Sequence, residues 1–257
     1  MYPYLFNTNI PTYTVMVILG GLASILVGEI FLTKKLNIKR FDSFLLIGFV
    51  IIFAYLGAVI LSIITHLKSL LASPHSFIDW LTSGYVFYGG LIGGAFGIFL
   101  FCKIFKVDVK KHLDFAATTL PLGQVFGRLG CLCAGCCFGK VIPANIDFLG
   151  ISFPINTDAY QMFGSQKLYP TQIFEMVYCL IIFVVLFSLI MLDKLKPGYA
   201  SIIYLISYGI CRFINEFFRG DFRGDTLFLS LSQYISLFLI AAAVIYLFIN
   251  RQRKIKN

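Results

Sequence analysis

Two arginines, Arg128 and Arg212, interrupt otherwise apolar stretches of this 257-residue sequence and are its first candidates for chemistry. A guanidinium inside a membrane span costs about 2.5–3.5 kcal/mol on insertion scales, so such a residue is a functional candidate by default. The alternative is an arginine that pairs with a carboxylate only to fix a helix bundle. Glycines around Arg128 let backbone or ligand approach closely, and they predict a break in its helix. They are Gly123, Gly127, Gly130, Gly135 and Gly139.

The residues that follow Arg212 could complete a phosphate-binding site. Glu216 comes four residues later and Arg219 seven residues later, a spacing that places them on the same helix face. One interpretation is an ion pair within the helix. The other is an electropositive cleft with a carboxylate at its edge. Such a cleft suits an anionic phosphate headgroup, because arginine binds phosphate with two parallel hydrogen bonds.

Two further motifs offer polar side chains close to apolar segments. In YPTQIFE, Gln172 and Glu175 lie three residues apart and would share one helix face. The alternative for this motif is a tyrosine at the membrane interface followed by a threonine helix cap. In FYGGLIGG, Tyr88 could point a hydroxyl into a cavity, whereas Gly90 and Gly94 are typical of tight helix packing.

Four of the seven cysteines lie within seven residues, at Cys131, Cys133, Cys136 and Cys137. Zinc sites usually pair two cysteines at short spacing with a second, distant pair. The sequence has no second pair and its histidines are scattered, so we predict no metal ion and no cofactor. The favoured interpretations are that these cysteines are small packing residues or that they provide a reactive thiol. An external position would permit a disulfide, although the adjacent Cys136 and Cys137 cannot easily bridge each other.

The composition assigns the chain to the membrane class. Apolar residues make up 59% of the chain and charged residues 13%, and the mean hydropathy is +0.87. A soluble domain of this length needs a more polar surface. The formal charge of +9 is spread over short basic runs between apolar segments. That pattern is typical of orientation signals and lipid contacts, so we expect membrane lipid and no nucleic acid as partners.

The apolar runs predict an all-α, polytopic membrane protein with about seven transmembrane helices, since a span needs about 20 apolar residues. The predicted spans are roughly 12–33, 43–66, 84–105, 113–137, 171–192, 199–218 and 232–250. They would form a single transmembrane domain over residues 1–257. The polar stretch 138–170 is predicted to be a small external cap inserted within that domain.

The basic residues predict how the chain is oriented. With seven spans, 14 lysines and arginines fall on one side of the membrane and five on the other. Because the basic side of a membrane protein is cytoplasmic, the N-terminus should lie outside and the C-terminus inside. The first 13 residues contain no basic residue, so we expect the first span to be retained rather than cleaved as a signal peptide.

Four motifs occur together and in order: YGGLIGG; GQVFGRLG followed by AGCCFGK; YPTQIFE; and RFINEFFRGD with a following SQYIS. This set resembles the bacterial prolipoprotein diacylglyceryl transferase family over roughly residues 10–250. The resemblance implies a seven-span inner-membrane enzyme with an external N-terminus. It also implies a reaction in which a diacylglyceryl group moves from phosphatidylglycerol to the thiol of a lipobox cysteine in a preprolipoprotein. In that implied reaction, glycerol 1-phosphate is released.

Together with the motifs above, the resemblance implies a set of site residues. The residues expected to act in catalysis are Arg128, Arg212, Glu216 and, as a weak acid–base group, Tyr88. The residues expected to bind substrate are Tyr13, Gly127, Gly139, Gln172, Glu175 and Arg219. The two buried arginines would hold the phosphate, and the nucleophile would come from the substrate protein.

The sequence departs from the family pattern at several polar positions. Tyr88 and Tyr169 stand where the family usually has histidine. Cys131, Ala134 and Cys136 stand where it usually has asparagines and a glutamate. One alternative is therefore a lipid-binding or lipid-transport protein that kept the headgroup site but lost the transfer chemistry. Another is a related enzyme that uses the cysteine cluster as a redox or acyl-carrying thiol.

Overall fold

The computed structural model describes residues 3–5, 10–65, 67, 87–221 and 228–256. Helices dominate these residues, and the only β-structure among them consists of isolated bridges. The all-α prediction is therefore confirmed. The helices are α1 (Thr12–Lys34), α2 (Arg40–Thr65), α3 (Phe87–Phe105), α4 (Val109–Ala134), a 3₁₀ helix (Ala144–Leu149), α5 (Asp158–Phe163), α6 (Thr171–Met191), α7 (Tyr199–Glu216) and α8 (Leu231–Lys256).

Each of the seven predicted spans coincides with a long helix, so the polytopic membrane fold is confirmed. α3 contributes a shorter apolar stretch, Gly89–Phe105. α4 and α7 are less apolar because they carry polar side chains, including Arg128 and Arg212. Within the described residues, four stretches are long and apolar enough to cross a membrane, judged by length and composition: Thr12–Lys34, Arg40–Ile64, Thr171–Met191 and Leu231–Ile249.

The chain divides into two compact units. The first combines Met1–Leu26 with Ala117–Asn257, and the second is Val27–Ala116. The first unit therefore contains both candidate arginines and the whole of residues 138–170. The single transmembrane domain over residues 1–257 stays a prediction.

In the second unit, α2 and α3 lie so close that glycines stand where side chains would collide. A Cβ added at Gly57 or Gly93 would overlap backbone atoms of the opposite helix. The predicted packing glycines, Gly90 and Gly94, also face α2, but an added Cβ there would meet its nearest neighbour no closer than 3.5 Å. The closest approach of α3 to α2 is thus at Gly89 and Gly93, each one residue before a predicted position.

Residues 138–170 fold into a small cap with a core of its own. Four side chains are buried against one another there: Phe138, Phe153, Ala159 and Leu168. The cap is tied to the end of α7, because the amide of Lys140 donates a hydrogen bond of 2.8 Å to the carbonyl of Phe218. The placement of this cap outside the membrane stays a prediction.

Candidate active site

The helix that carries Arg128 is continuous, so the break predicted near that residue is wrong. α4 extends to Ala134, and the chain leaves it at Gly135, whose φ of +71° is left-handed. Glycine fits this conformation because it has no Cβ, and an added Cβ would overlap the side chain of Thr157. The glycine-rich sequence therefore ends the helix about two turns after the arginine instead of breaking it there.

A carboxylate from α6 joins the two arginines. Arg128 Nη2 lies 3.0 Å from Glu175 Oε1, and Arg212 Nη1 lies 3.8 Å from Glu175 Oε2. The hydroxyl of Tyr208 donates to Oε1 at 3.2 Å, and the side-chain amide of Asn215 donates to Oε2 at 3.4 Å. The Glu175 side chain is only 1% exposed. Side chains from α4, α6 and α7 thus meet at one buried carboxylate.

Arg212 is also held by a carboxylate of its own helix. Its Nη2 lies 2.8 Å from Glu216 Oε2 and donates a hydrogen bond of 3.1 Å to Ser232 Oγ on α8. The Arg212 side chain is 5% exposed, against 21% for Arg128. Among the residues that the structure describes, Nη1 of Arg212 has no hydrogen-bond partner. Arg212 is therefore the deeper arginine with a spare donor, and Arg128 is the more accessible one.

The charges of these four residues balance. We call Arg128, Arg212, Glu175 and Glu216 the arginine–glutamate network. The electropositive cleft expected from the sequence combined Arg212, Glu216 and Arg219. The structure adds Glu175 between the guanidiniums of Arg128 and Arg212, so the network itself is neutral. Charged groups inside a helical bundle are tolerated when they are paired in this way. A bound anion would therefore share the guanidiniums with Glu175.

Arg219 does not share a helix face with Arg212 and Glu216, so that part of the spacing argument is wrong. α7 ends at Glu216, and the next residues form a tight turn. In that turn the amide of Arg219 donates a hydrogen bond of 3.2 Å to the Glu216 carbonyl. The Arg219 guanidinium donates two hydrogen bonds to Asp221, of 2.8 and 2.7 Å. Burial alone would lower the pKa of Arg219, but the bonds to Asp221 outweigh it and hold that pKa above its usual value.

A cavity of about 590 Å³ opens beside the end of α7. Glu216 and Arg219 line it, together with Lys140 and Met162 of the cap and Gln233 of α8. A volume of this size is in the range of small-molecule pockets. Glu216 thus belongs both to the arginine–glutamate network and to the cavity wall.

Three other predicted substrate-binding residues have distinct surroundings. Tyr13 packs against Gly130 of α4, where an added Cβ would lie 3.0 Å from Tyr13 Cδ2. A Cβ added at Gly127 would meet no described atom within 4 Å, so α4 borders open space at that position. Gly139 is closely packed, because an added Cβ would overlap Tyr169.

The structure gathers three of the four clustered cysteines. The Sγ atoms of Cys131, Cys136 and Cys137, here called the thiol triad, lie within 4.8 Å of one another, and Cys133 is not part of the group. The turn that ends α4 explains this, because the amide of Cys136 donates to the Cys131 carbonyl at 3.1 Å and folds the chain back. Gln172, predicted to bind substrate, is buried and donates to the carbonyl of Cys136 at 2.8 Å.

Three polar residues that contact the network had no role predicted from the sequence: Tyr208, Asn215 and Ser232. Tyr208 and Asn215 lie four residues before and three residues after Arg212, so helical periodicity could have found them. Ser232 lies on α8 within the SQYIS motif, but the motif alone does not show that its side chain reaches Arg212. The side chain of Tyr88, a predicted catalytic group, lies outside the described residues.

Comparison with known proteins identifies the family of this chain independently of the site geometry. A family profile described as prolipoprotein diacylglyceryl transferase matches residues 3–249. The phosphatidylglycerol–prolipoprotein diacylglyceryl transferase of Clostridium tetani is 36% identical over 256 residues, which cover 97% of each chain. Transferase 2 of Clostridium perfringens is 39% identical over 202 residues, covering 78% of this chain and 76% of that protein. The chain belongs to the prolipoprotein diacylglyceryl transferase family.

Proposed function

We propose that this transferase moves a diacylglyceryl group from phosphatidylglycerol to the lipobox cysteine of preprolipoproteins and releases glycerol 1-phosphate. The arginine–glutamate network carries the proposal, because it holds two guanidiniums within the helices of a membrane protein of this family. A network that only fixed the bundle would need neither the spare donor of Arg212 nor the open space at Gly127. Both features suit an anionic headgroup.

The two arginines differ in access, which indicates how the phosphodiester binds. Arg128 is the more exposed guanidinium and lies next to the open space at Gly127, so it would contact the phosphate first. Arg212 would add its Nη1, which has no hydrogen-bond partner in the described part of the chain. Hydrogen bonds between guanidinium and phosphate are short and strong because both partners are charged.

The network also suits the charge that develops during transfer. The acceptor thiol loses its proton to water, and its sulfur forms a bond to the glyceryl carbon while the bond from that carbon to the phosphate oxygen breaks. The electron pair of the broken bond stays on the oxygen, so the phosphate changes from a singly charged diester to a more highly charged monoester. Guanidiniums held in place stabilise this transition state more than the bound lipid. Arg128 and Arg212 should therefore act mainly on the transfer rate.

Glu175 is assigned a positioning role in this mechanism. Each of its oxygens already has an arginine and a neutral donor, Tyr208 or Asn215, within 3.8 Å. It therefore holds the guanidiniums apart and in place instead of contacting the lipid. Glu216 is assigned the orientation of Arg212, to which it lies at 2.8 Å.

The basic residues support a bacterial cytoplasmic membrane location with the N-terminus outside and the C-terminus inside. In that orientation the cap of residues 138–170 and the cavity at Glu216 lie at the outer face. A translocated substrate protein would present its lipobox cysteine on the same side. Phosphatidylglycerol would enter from the surrounding lipid.

Complementation tests the proposal in cells. A bacterial strain depleted of its own diacylglyceryl transferase would receive the wild-type chain, Arg128→Ala or Arg40→Ala, the last a control at an exposed arginine that starts α2. We expect the wild type and Arg40→Ala to restore lipidation of a reporter lipoprotein, and Arg128→Ala to fail at equal membrane levels.

Two outcomes would contradict parts of this account. Normal lipidation with Arg128→Ala would exclude the proposed phosphate site. A wild-type chain that inserts and binds phosphatidylglycerol, but restores no lipidation, would favour the lipid-binding alternative.

A further inference from the structure

Three thiols meet directly beside a guanidinium of the arginine–glutamate network. The Sγ atoms of the thiol triad lie within 4.8 Å of one another, and Arg128 Nη1 lies 3.9 Å from Cys131 Sγ. Cys131 is buried, whereas Cys136 and Cys137 are half-buried. The cluster is therefore partly enclosed, and it adjoins the proposed phosphate site.

The spacing of the three sulfurs fits a metal ion. A tetrahedral zinc ion with Zn–S bonds of about 2.3 Å places its sulfurs about 3.8 Å apart. The three Sγ atoms already lie within 4.8 Å of one another, which is at most about 1 Å more than that separation. Structural zinc sites have four protein ligands, whereas catalytic zinc sites have three and one exchangeable position. In the described part of the chain, the group has three members.

The surrounding charges favour thiolate ligands. Three thiolates and Zn²⁺ carry a net charge of minus one, which a neighbouring cation stabilises. Arg128 supplies one such cation beside Cys131. Arg219, which donates two hydrogen bonds to Asp221, also interacts electrostatically with Cys137. Both guanidiniums also pair with carboxylates, Arg128 with Glu175 and Arg219 with Asp221, so the triad lies beside two ion pairs.

The backbone that carries the triad is held in place by buried side chains. Gln172 Nε2 donates to the Cys136 carbonyl at 2.8 Å, and Thr171 Oγ1 donates to the Cys137 carbonyl at 2.9 Å. Cys137 has a left-handed φ of +61°, a conformation that is uncommon for residues other than glycine. Groups outside the ligand set that fix ligand geometry in this way are a regular feature of metal sites.

We propose that Cys131, Cys136 and Cys137 bind one zinc ion, and that its fourth coordination position receives the acceptor thiol. This inference deepens the transfer activity proposed above and rests on it. It departs from the expectation, drawn from the cysteine spacing and the scattered histidines, that the chain binds no metal. A single turn brings the three cysteines together, and the substrate would supply the fourth sulfur.

The chemistry balances without any oxidant or reductant. A thiol that coordinates zinc loses its proton, here to water, and becomes a thiolate at neutral pH. The bound thiolate attacks the glyceryl carbon, a thioether S–C bond forms, and the C–O bond electrons leave with the phosphate. The thioether is neutral and a weak ligand, so the product dissociates and zinc stays Zn²⁺. Arg128 would hold the leaving phosphate beside the nucleophile.

Metal binding is tested first, on the full-length chain in lipid nanodiscs under a non-thiol reductant. The chain would be stripped with a chelator and titrated with Zn²⁺, and with Co²⁺ as a spectroscopic probe. We expect one equivalent of metal and a thiolate-to-cobalt charge-transfer band. Cys136→Ser should weaken Zn²⁺ binding at least about tenfold. Cys133→Ser, in the same segment but outside the triad, should bind as the wild type does.

Two results of this titration would overturn the site. One is a reduced wild-type chain that takes up no zinc. The other is a loss of binding in Cys133→Ser as large as that in Cys136→Ser.

The role of the fourth position is tested with an acceptor peptide. A lipobox peptide should change the Co²⁺ spectrum, and the same peptide with serine for cysteine should not. Chelation should lower transfer at least about tenfold, with recovery on adding Zn²⁺. Transfer that survives both chelation and Cys136→Ser would overturn the catalytic role of zinc. A spectral response to the peptide in a chain that never transfers lipid would refute the transferase proposal and leave the metal site standing.

Discussion

The two compact units pack their helices in different ways. In Val27–Ala116, α2 and α3 approach backbone to backbone at glycines such as Gly57, and this contact needs no charged group. In the other unit, α4, α6 and α7 meet around Glu175 and two arginines. Desolvating those charges is costly, whereas small-residue packing is not. Since this chain can pack helices without charges, the arginine–glutamate network is best explained by function.

Removing the central carboxylate should have the largest effect. Glu175→Ala leaves two largely buried guanidiniums without their shared partner, which costs about 3–5 kcal/mol when a buried pair is broken. We expect transfer to fall by at least about 100-fold and the unfolding temperature in detergent to drop. Glu175→Gln should recover part of the stability but little of the rate. Asp158→Asn, at an exposed carboxylate of the cap, serves as the control. Wild-type transfer by Glu175→Ala would remove Glu175 from the account.

A substitution at the glycine contact between α2 and α3 should lower the stability of the protein but leave its transfer activity unchanged. A Cβ at Gly57 would overlap the backbone at Gly89, so Gly57→Ala should destabilise the protein by about 1–3 kcal/mol. Transfer per folded molecule should stay unchanged. Gly48→Ala is a matched control on the same helix, since an added Cβ there meets no described atom within 4 Å. Thermal unfolding and transfer assays would be made on both variants. Equal stability of the two variants would contradict the close-packing account.

A single hydrogen bond to the network should have the smallest effect. Tyr208→Phe removes the donor that lies 3.2 Å from Glu175 Oε1 but leaves both arginine contacts. A hydrogen bond to a charged acceptor contributes about 1.5 kcal/mol at the low end of its range, so we expect about a tenfold lower transfer rate. Tyr199→Phe, at the partly exposed first residue of α7, should have no effect. A loss as large as that of Glu175→Ala would mean that the hydroxyl takes part in the chemistry.

Most of the fold could be predicted because long apolar runs determine helices in lipid. The ends of the helices were less predictable. The glycines near Arg128 suggested a break at the arginine, but Gly135 ends the helix, because only there does the chain take a left-handed turn. Arg219 was assigned to the face of Arg212, yet the chain leaves the helix at Glu216. Helical periodicity cannot be extended past an unrecognised helix end.

The candidate site was predictable in its residues but not in its connections. Arg128, Arg212 and Glu175 were each visible as polar groups in apolar segments, whereas their convergence depends on how three helices pack. The thiol triad was missed for a similar reason. The spacing of the cysteines alone does not show that the turn after α4 brings Cys136 next to Cys131 and leaves Cys133 outside the thiol triad.

The most direct test of the central claim is the mass of a lipobox peptide after incubation with the purified wild-type chain in phosphatidylglycerol vesicles. We predict that the peptide gains one diacylglyceryl group through its cysteine, with equimolar release of glycerol 1-phosphate. The same mixture with Arg212→Ala should give almost none, because that variant loses the deeper guanidinium of the proposed phosphate site. An unmodified peptide with the wild-type chain, or full modification with Arg212→Ala, would contradict the account.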